Sequence, residues 1–109
     1  MKIIKFLKKE NEINKLIRDQ KFSGKREAIL FTSLWDNYSV SLLDKLSNNG
    51  SKLPITVVNS FDTPHSFIIW NITKVPALVL LEGSGKSKRT KVIEYLPDIY
   101  RRLEVINRD

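Results

Sequence analysis

Apolar residues recur along the chain with two spacings, and these spacings predict a regular succession of strands and helices. Short runs that are apolar throughout, or that alternate with polar residues, are typical of strands. They occupy 2–7, 27–34, 53–60, 76–81 and 89–96. Between them, apolar residues recur at every third or fourth position, as in amphipathic helices. The helical segments are 9–20, 38–48, a short one that begins at Thr63-Pro64, and a last one that begins at Pro97.

Each predicted helix has an inward face. In the first helix the inward residues are Ile13, Leu16 and Ile17, and in the second they are Val40, Leu42, Leu43 and Leu46.

The third helix is expected to have Thr63 as its N-cap and Pro64 at its first position, the places these residue types favour. This places His65 in the first turn, and Trp70 after it as a core or half-core residue.

The order of the elements predicts the topology of one sheet. The first three strands alternate with helices, which indicates parallel crossovers. The last two are joined by a short glycine-containing turn around 83–85, which indicates an antiparallel hairpin. The fold class is therefore α/β, with a mixed sheet in the order β-α-β-α-β-α-β-β-α, helices on both faces, and a single domain over 1–109.

Composition excludes several classes of chemistry. The chain has 109 residues, of which 41% are hydrophobic and 28% charged, as in an ordinary globular domain. It has no cysteine, so disulfides, thiolate metal sites and cysteine catalysis are excluded, and His65 is the single histidine. We expect no metal, no cofactor and no small-molecule substrate. No apolar run is long enough for a membrane helix, so the expected location is the cytoplasm, or a virus particle into which the protein is incorporated.

The positive charge is concentrated at one end of the chain. The net charge is +7, and residues 1–26 hold nine Lys or Arg against three acidic residues. Such an end favours an acidic or phosphate-bearing partner. The candidate contacts are Lys15 and Arg18 in the first helix and Lys86, Lys88, Arg89 and Lys91 in the hairpin. The alternatives are a solvated helix face and a basic edge strand that resists aggregation.

Two local motifs resemble those of the thioredoxin-like superfamily. The apolar run 28–34 leads into Trp35 and then 36–39, where thioredoxins have a Trp followed by Cys-x-x-Cys. The segment Val75-Pro76 precedes an apolar strand, like the family's loop with a cis-proline. The resemblance implies a thioredoxin-like fold over nearly the whole chain. It also implies that the Val75–Pro76 bond is cis and that the following strand lies beside the strand that leads to Trp35.

The chain departs from the family at the residues that carry redox chemistry. Asp36 and Ser39 stand in place of the two cysteines, and neither can take part in thiol–disulfide exchange. Leu30 and Val57 stand where the family has a buried Asp and a Lys. The resemblance therefore implies a redox-inactive member that is not an enzyme. Asp36 is expected to cap the second helix, because a carboxylate there accepts hydrogen bonds from free N–H groups.

The resemblance also implies a site. In thioredoxins the corresponding surface receives extended segments of partner proteins, and here it comprises Trp35, Asp36, Asn37, Tyr38, Val75 and Pro76. The prediction is a protein-binding module that serves as a non-catalytic subunit or an accessory or structural component of a larger assembly. The abundance of Lys, Ile and Asn indicates AT-rich codons, which fit a phage, a bacterial or an organelle genome, with a phage as the candidate carried forward. The alternative is a basic protein associated with nucleic acid, which binds phosphates through its N-terminal third and the 86–91 hairpin.

Overall fold

The computed structural model describes residues 4–49, 55–87 and 89–108, and it has the predicted order of elements. The strands are β1 (Ile4–Leu7), β2 (Glu27–Thr32), β3 (Ile55–Asn59), β4 (Ala77–Glu82) and β5 (Arg89–Ile93). The helices are α1 (Glu10–Ser23), α2 (Asn37–Asn49), α3 (Pro64–Ile69) and α4 (Leu96–Arg108), and a 3-10 turn (Gly85–Ser87) precedes β5. Both β2 and β5 end earlier than predicted: the apolar residues that follow them, Leu34 and Tyr95, are exposed in turns and not paired in the sheet.

The five strands form one mixed sheet in the order β1-β3-β2-β4-β5. The pairs β1–β3 and β2–β3 are parallel, whereas β4 is antiparallel to both β2 and β5. Two predictions are thereby confirmed: β4 lies directly beside β2, and the Val75–Pro76 bond is cis. One end of the sheet holds the carboxyl ends of β2, β3 and β5 together with the start of β4. We call this end of the strands the carboxyl edge.

The three central strands lack strict alternation because helices cover both faces of the sheet. On one face, Leu42 of α2 and Ile99 of α4 pack on the buried side chains of Leu30 and Val57. Leu30 and Val57 occupy the positions that correspond, by the resemblance, to a buried Asp and a Lys of thioredoxins. Here both side chains are part of the apolar core.

On the other face, α1 and α3 pack on the sheet through Ile13 and Phe67. The Phe67 ring meets the ring of Phe31 edge-on at a centroid distance of 4.9 Å. Trp70 is half-buried against the same cluster, as predicted. Each central strand therefore contributes core residues to both faces, which explains why it is apolar throughout.

The prediction that Val40 faces inward is wrong. Its side chain is exposed, whereas Ser39 and Leu42 are buried and Leu43 is half-buried. Residues three apart lie on the same helix face, so Ser39 and Leu42 together define the face toward the sheet and turn Val40 toward solvent. The side chain of Leu46, also predicted to face inward, lies outside the described residues.

The predicted start of α3 is confirmed, with Thr63 at the N-cap position and Pro64 as the first helical residue, but the Thr63 side chain does not do the capping. The Thr63 hydroxyl makes no capping bond and instead approaches the Asn59 carbonyl at 3.4 Å. A carboxylate oxygen of Glu10, at the start of α1, accepts hydrogen bonds from the N–H groups of His65 (2.9 Å) and Ser66 (3.3 Å). Its second oxygen accepts a bond from the Ser66 hydroxyl. The cap therefore comes from a residue of another helix, and it fixes α1 to α3.

Candidate functional site

The turn between β2 and α2 has a well-fixed backbone. The Asp36 N–H donates to the Ser33 carbonyl at 3.1 Å, and the Leu34 N–H donates to Asn59 Oδ1 at 3.2 Å. The Trp35 N–H donates to Ser33 Oγ at 3.3 Å. Because three consecutive N–H groups are bonded, two within the turn to Ser33 and one to Asn59 of β3, the backbone of the turn is ordered beneath its side chains.

Asp36 and Ser39 hold the start of α2. Asp36 Oδ2 accepts hydrogen bonds from the Ser39 N–H at 2.9 Å and from the Ser39 hydroxyl at 3.0 Å. The Ser39 oxygen in turn accepts the N–H of Ser33 at 3.3 Å. Asp36 is therefore an N-cap, as predicted, and caps of this kind contribute about 0.5–2 kcal/mol. The two residues at the spacing of a redox dithiol are both engaged in fixing the backbone.

The aromatic side chains of this turn project into solvent. Trp35 is 86% exposed and Tyr38 is 64% exposed, and Asn37 between them is exposed as well. Neither ring is packed down on the helix. A rigid turn thus presents two large rings that contribute little to the core.

Val75 and Pro76 lie at the same edge as the turn but supply less surface. Ala77, which follows them, pairs with Phe31 near the end of β2. Val75 is half-buried against the core, and Pro76 is buried. The structure therefore brings all six predicted residues to the carboxyl edge, with Trp35 and Tyr38 protruding there.

Two exposed aromatic residues at this edge were missed from the sequence. Phe61 is 78% exposed and follows Ser60, whose N–H donates to the Thr32 carbonyl at 2.9 Å. Tyr95 is 67% exposed and follows the end of β5. For Phe61 the signal was present, because a large apolar residue in a predicted turn has no core position to fill. Tyr95 was missed because the predicted strand 89–96 extended beyond the observed end of β5 at Ile93. We call the set Trp35, Tyr38, Phe61 and Tyr95 the aromatic edge.

The predicted phosphate contacts do not form one group. Lys15 lines a cavity of about 380 Å³ at the β1 side of the sheet, together with the carboxylates of Glu12, Asp19 and Glu27. Lys91 lines a cavity of about 420 Å³ under α4, at the opposite side, with Asp98 among its neighbours. These two lysines are thus separated by the width of the sheet. Three carboxylates line the cavity beside Lys15, whereas Arg101 and Arg102 line the cavity beside Lys91 together with Asp98.

The other predicted basic contacts vary in their surroundings. Arg18 and Lys86 are exposed, and Arg89 pairs with Glu82 at 4.0 Å. Lys88 lies outside the described residues. In the cavity beside Lys15, burial raises the pKa of Glu27, and the charges of Lys5 and Lys25 partly oppose this shift.

The described ranges contain neither a helix that could span a membrane nor a cluster of side chains that could hold a metal ion. None of the helices there combines the length and hydropathy needed to cross a bilayer. No three His, Asp or Glu side chains in those ranges are placed so that they could share a metal ion.

Comparison with solved structures identifies the fold as that of thioredoxins. Thioredoxin O2 from Arabidopsis thaliana superposes with a TM-score of 0.72 at 18% identity, covering 96% of this chain and 95% of that one. Thioredoxin from Plasmodium falciparum gives 0.70 at 13% identity, with 97% and 90% covered. Thioredoxin from Trichomonas vaginalis gives 0.69 at 14%, with 96% and 98% covered. No protein-family model and no curated protein sequence matches the chain.

Proposed function

We propose that this chain is a redox-inactive protein-binding module that joins a larger assembly through its aromatic edge. The thioredoxin fold is present, but the sequence contains no cysteine. Asp36 and Ser39, at the dithiol positions, bond to each other and to the backbone of the turn. A thiol–disulfide reaction is therefore not available to this site, and binding is the function its surface supports.

The observation that carries the proposal is the exposure of Trp35 on a fixed backbone. A Trp side chain can cover about 150–250 Å² in an interface. At about 25 cal/mol per Å², covering the exposed 86% of it would contribute about 4 kcal/mol before entropy losses. Because the turn is already ordered by three hydrogen bonds, little backbone freedom would be lost on binding.

The other exposed rings extend the same surface across the sheet edge. Phe61 follows β3, Trp35 and Tyr38 follow β2, and Tyr95 follows β5. Aromatic residues are enriched in interface centres, and patches that stay exposed in a monomer are often functional. The preferred partner is therefore a protein with an apolar segment, and the net charge of +7 would steer an acidic partner toward it.

The experiment is photo-crosslinking followed by affinity measurement. A benzoylphenylalanine residue at position 38 should capture a protein partner from native lysate in the presence of nuclease. The same residue at position 22, an exposed aromatic site at the opposite end of the sheet, is the matched control and should not capture it. Nuclease removes partners that are bridged by nucleic acid.

The captured partner is then titrated with variants at low and high salt. Tyr38→Ala should weaken binding about thirty-fold at both salt concentrations, the value expected for about 2 kcal/mol at an aromatic anchor. Phe22→Ala should leave the affinity unchanged. Lys15→Glu with Arg18→Glu should matter chiefly at low salt, because rim charges act mainly on association rate. Parent-like binding by Tyr38→Ala, with binding abolished by the charge reversal, would show that the proposal is wrong.

A further inference from the structure

The end of the sheet opposite the aromatic edge brings together two basic segments that are distant in sequence. α1 ends at Ser23, and the chain returns through Gly24 to the start of β2. The turn after β4 lies beside it, since β2 and β4 are antiparallel. The side chain of Gln20 joins the two segments, because its Nε2 donates to the carbonyl of Lys25 at 3.1 Å and to the carbonyl of Gly83 at 3.0 Å.

The contact between these segments is close and built into the fold. Gln20 is only 2% exposed, so its two hydrogen bonds lie inside the junction. Gly24 ends α1 in a left-handed conformation with φ of 73°, and a Cβ there would lie 3.2 Å from the Cβ of Ser84. The helix end and the turn are therefore held at a fixed separation, and so are the charges they carry.

Four exposed cations surround this junction, and none of them forms an ion pair with a carboxylate in the described ranges. The cations are Lys21, Lys25, Arg26 and Lys86. The ion pairs in the described ranges are Arg89–Glu82 and Arg101–Asp98, so none of the four is paired there. Glu27 is close enough to Lys25 for that charge to oppose the rise in its pKa, but it is half-buried and lines the cavity on the β1 side.

The last turn of α1 also carries an exposed aromatic ring. Phe22 is 93% exposed, the highest value among the large hydrophobic residues of the described ranges. It directly follows Lys21 in α1, and Lys25 lies two residues after the end of the helix at Ser23. The helix dipole accounts for a cation such as Lys21 in a last turn. It does not account for Arg26 and Lys86 outside the helix, nor for a phenyl ring in water.

We propose that Lys21, Phe22, Lys25, Arg26 and Lys86, here called the basic end, bind single-stranded nucleic acid. The four cations contact successive phosphates, and the ring of Phe22 stacks on an unpaired base. Single-strand binding commonly combines a basic surface with a stacking aromatic residue, and each stacked base contributes about 1–3 kcal/mol. A single strand is favoured over a duplex because the face of a base is accessible to Phe22 only when the base is unstacked.

This site is independent of the aromatic edge. The two lie at opposite ends of β2, whose six residues span about 20 Å. It shares Lys86 and the N-terminal third with the phosphate contacts expected from the sequence, but it replaces Lys15, Arg18 and Lys91 with Lys21, Lys25 and Arg26 and adds Phe22. A ligand at one end leaves the other end accessible, so failure of one proposal does not decide the other.

The test is fluorescence anisotropy with labelled single-stranded oligonucleotides of DNA and RNA over a series of salt concentrations. Four phosphate contacts predict that the logarithm of the affinity falls with the logarithm of salt with a slope close to −3, at about 0.7 per contact. Lys25→Gln with Arg26→Gln should weaken binding more than ten-fold at low salt and reduce the slope by about 1.4. Lys8→Gln with Lys74→Gln, a charge-matched pair of exposed lysines toward the carboxyl edge, should change both quantities much less.

The Phe22 variants separate stacking from other roles of the ring. Phe22→Leu should weaken oligonucleotide binding about five-fold or more at every salt concentration, because Leu keeps the apolar bulk but cannot stack. Tyr38→Leu, at the aromatic edge, is its control and should bind like the parent. The exposure of Phe22 means that neither its replacement nor that of the surface cations should lower the melting temperature appreciably.

Four results would overturn the proposal. The first is no oligonucleotide binding at low salt, and the second is equal loss in the charge-matched control pair, which would indicate attraction by net charge alone. The third is parent-like binding by Phe22→Leu together with equal affinity for inorganic polyphosphate, which lacks bases. The fourth is binding to vesicles of anionic lipid that is tighter than binding to the oligonucleotides and that is unchanged in the Phe22→Leu variant. An apolar residue that inserts into lipid does not need to be aromatic.

Discussion

The cap of α3 by Glu10 predicts a large stability effect from one side chain at a half-exposed position. Glu10→Ala removes the acceptor for the N–H groups of His65 and Ser66 and for the Ser66 hydroxyl. Removal of an ordinary N-cap costs about 1 kcal/mol, and hydrogen bonds to a charged group contribute about 1.5–3 kcal/mol each. Because Glu10 is half-exposed and water can replace part of these bonds, we expect a loss of about 2 kcal/mol.

The measurement is the free energy of unfolding from urea denaturation, supported by thermal melting. For a domain of this size, about 2 kcal/mol corresponds to a fall in melting temperature of roughly 10 °C. Glu12→Ala is the matched control, since Glu12 lies in the same first turn of α1, is exposed, and accepts no side-chain hydrogen bond within the described ranges. Its replacement should change stability by less than about 0.5 kcal/mol.

A double-mutant cycle shows whether the contact itself is responsible. Glu10→Ala and Ser66→Ala should be non-additive by about 1 kcal/mol, because the two side chains bond to each other. If Glu10→Ala proved no more destabilising than Glu12→Ala, the carboxylate could not be an important cap. If the two changes were additive, the bond from the Ser66 hydroxyl would contribute nothing to it.

Two further predictions concern carboxylates at either end of β2. Asp36→Ala should destabilise the domain by about 1–2 kcal/mol in urea denaturation, whereas Asp36→Asn, which keeps an acceptor for the Ser39 N–H, should cost less. Equal losses for the two variants would contradict the capping role. Burial raises the pKa of Glu27 above 4.5, so ionisation of its carboxyl weakens the folded state. Glu27→Gln should therefore gain stability relative to the parent as pH rises through and above 4.5, in melting curves across pH, and no pH-dependent difference would contradict this.

The fold could be predicted because its central strands obey a local rule. Segments such as 27–32 and 77–82 are apolar at nearly every position, and only a strand covered on both faces requires that. The capping role of Asp36 was also predictable, since it depends on a residue three positions along the chain. Both predictions rest on interactions between neighbours in sequence.

The features that escaped prediction depend on contacts between distant segments. Glu10 is 55 residues from His65, so no rule based on the residue before a helix could identify it as the cap of α3. Val40 was assigned inward because a polar Ser39 was not expected on the buried face. Ser39 can be buried there because Asp36 and the Ser33 N–H satisfy its hydrogen bonds.

The grouping of the cations could not be predicted from the sequence either, because it depends on a contact that Gln20 makes between distant segments. In the sequence it is a polar residue seven positions after Ile13, on the inward face of α1, where an apolar residue would be expected. In the structure it is buried and bonds to backbone groups of two segments, which brings Lys25 and Arg26 beside the turn that carries Lys86. The sequence showed an excess of cations near its start, and only the tertiary contact determines which of them lie together.

The two proposed sites follow from one property of the fold. Its sheet is held by core residues on both faces, so the exposed side chains at its two ends are not needed for the core and can be aromatic or charged. At the carboxyl edge the start of α2 is fixed by Asp36 and Ser39 in place of a dithiol, and Trp35 and Tyr38 project from that fixed base. At the other end, Gln20 joins the end of α1 to the turn that carries Lys86. Together, the two proposals describe a domain that holds a protein at one end of its sheet and a nucleic acid strand at the other, at a constant distance and without chemistry of its own.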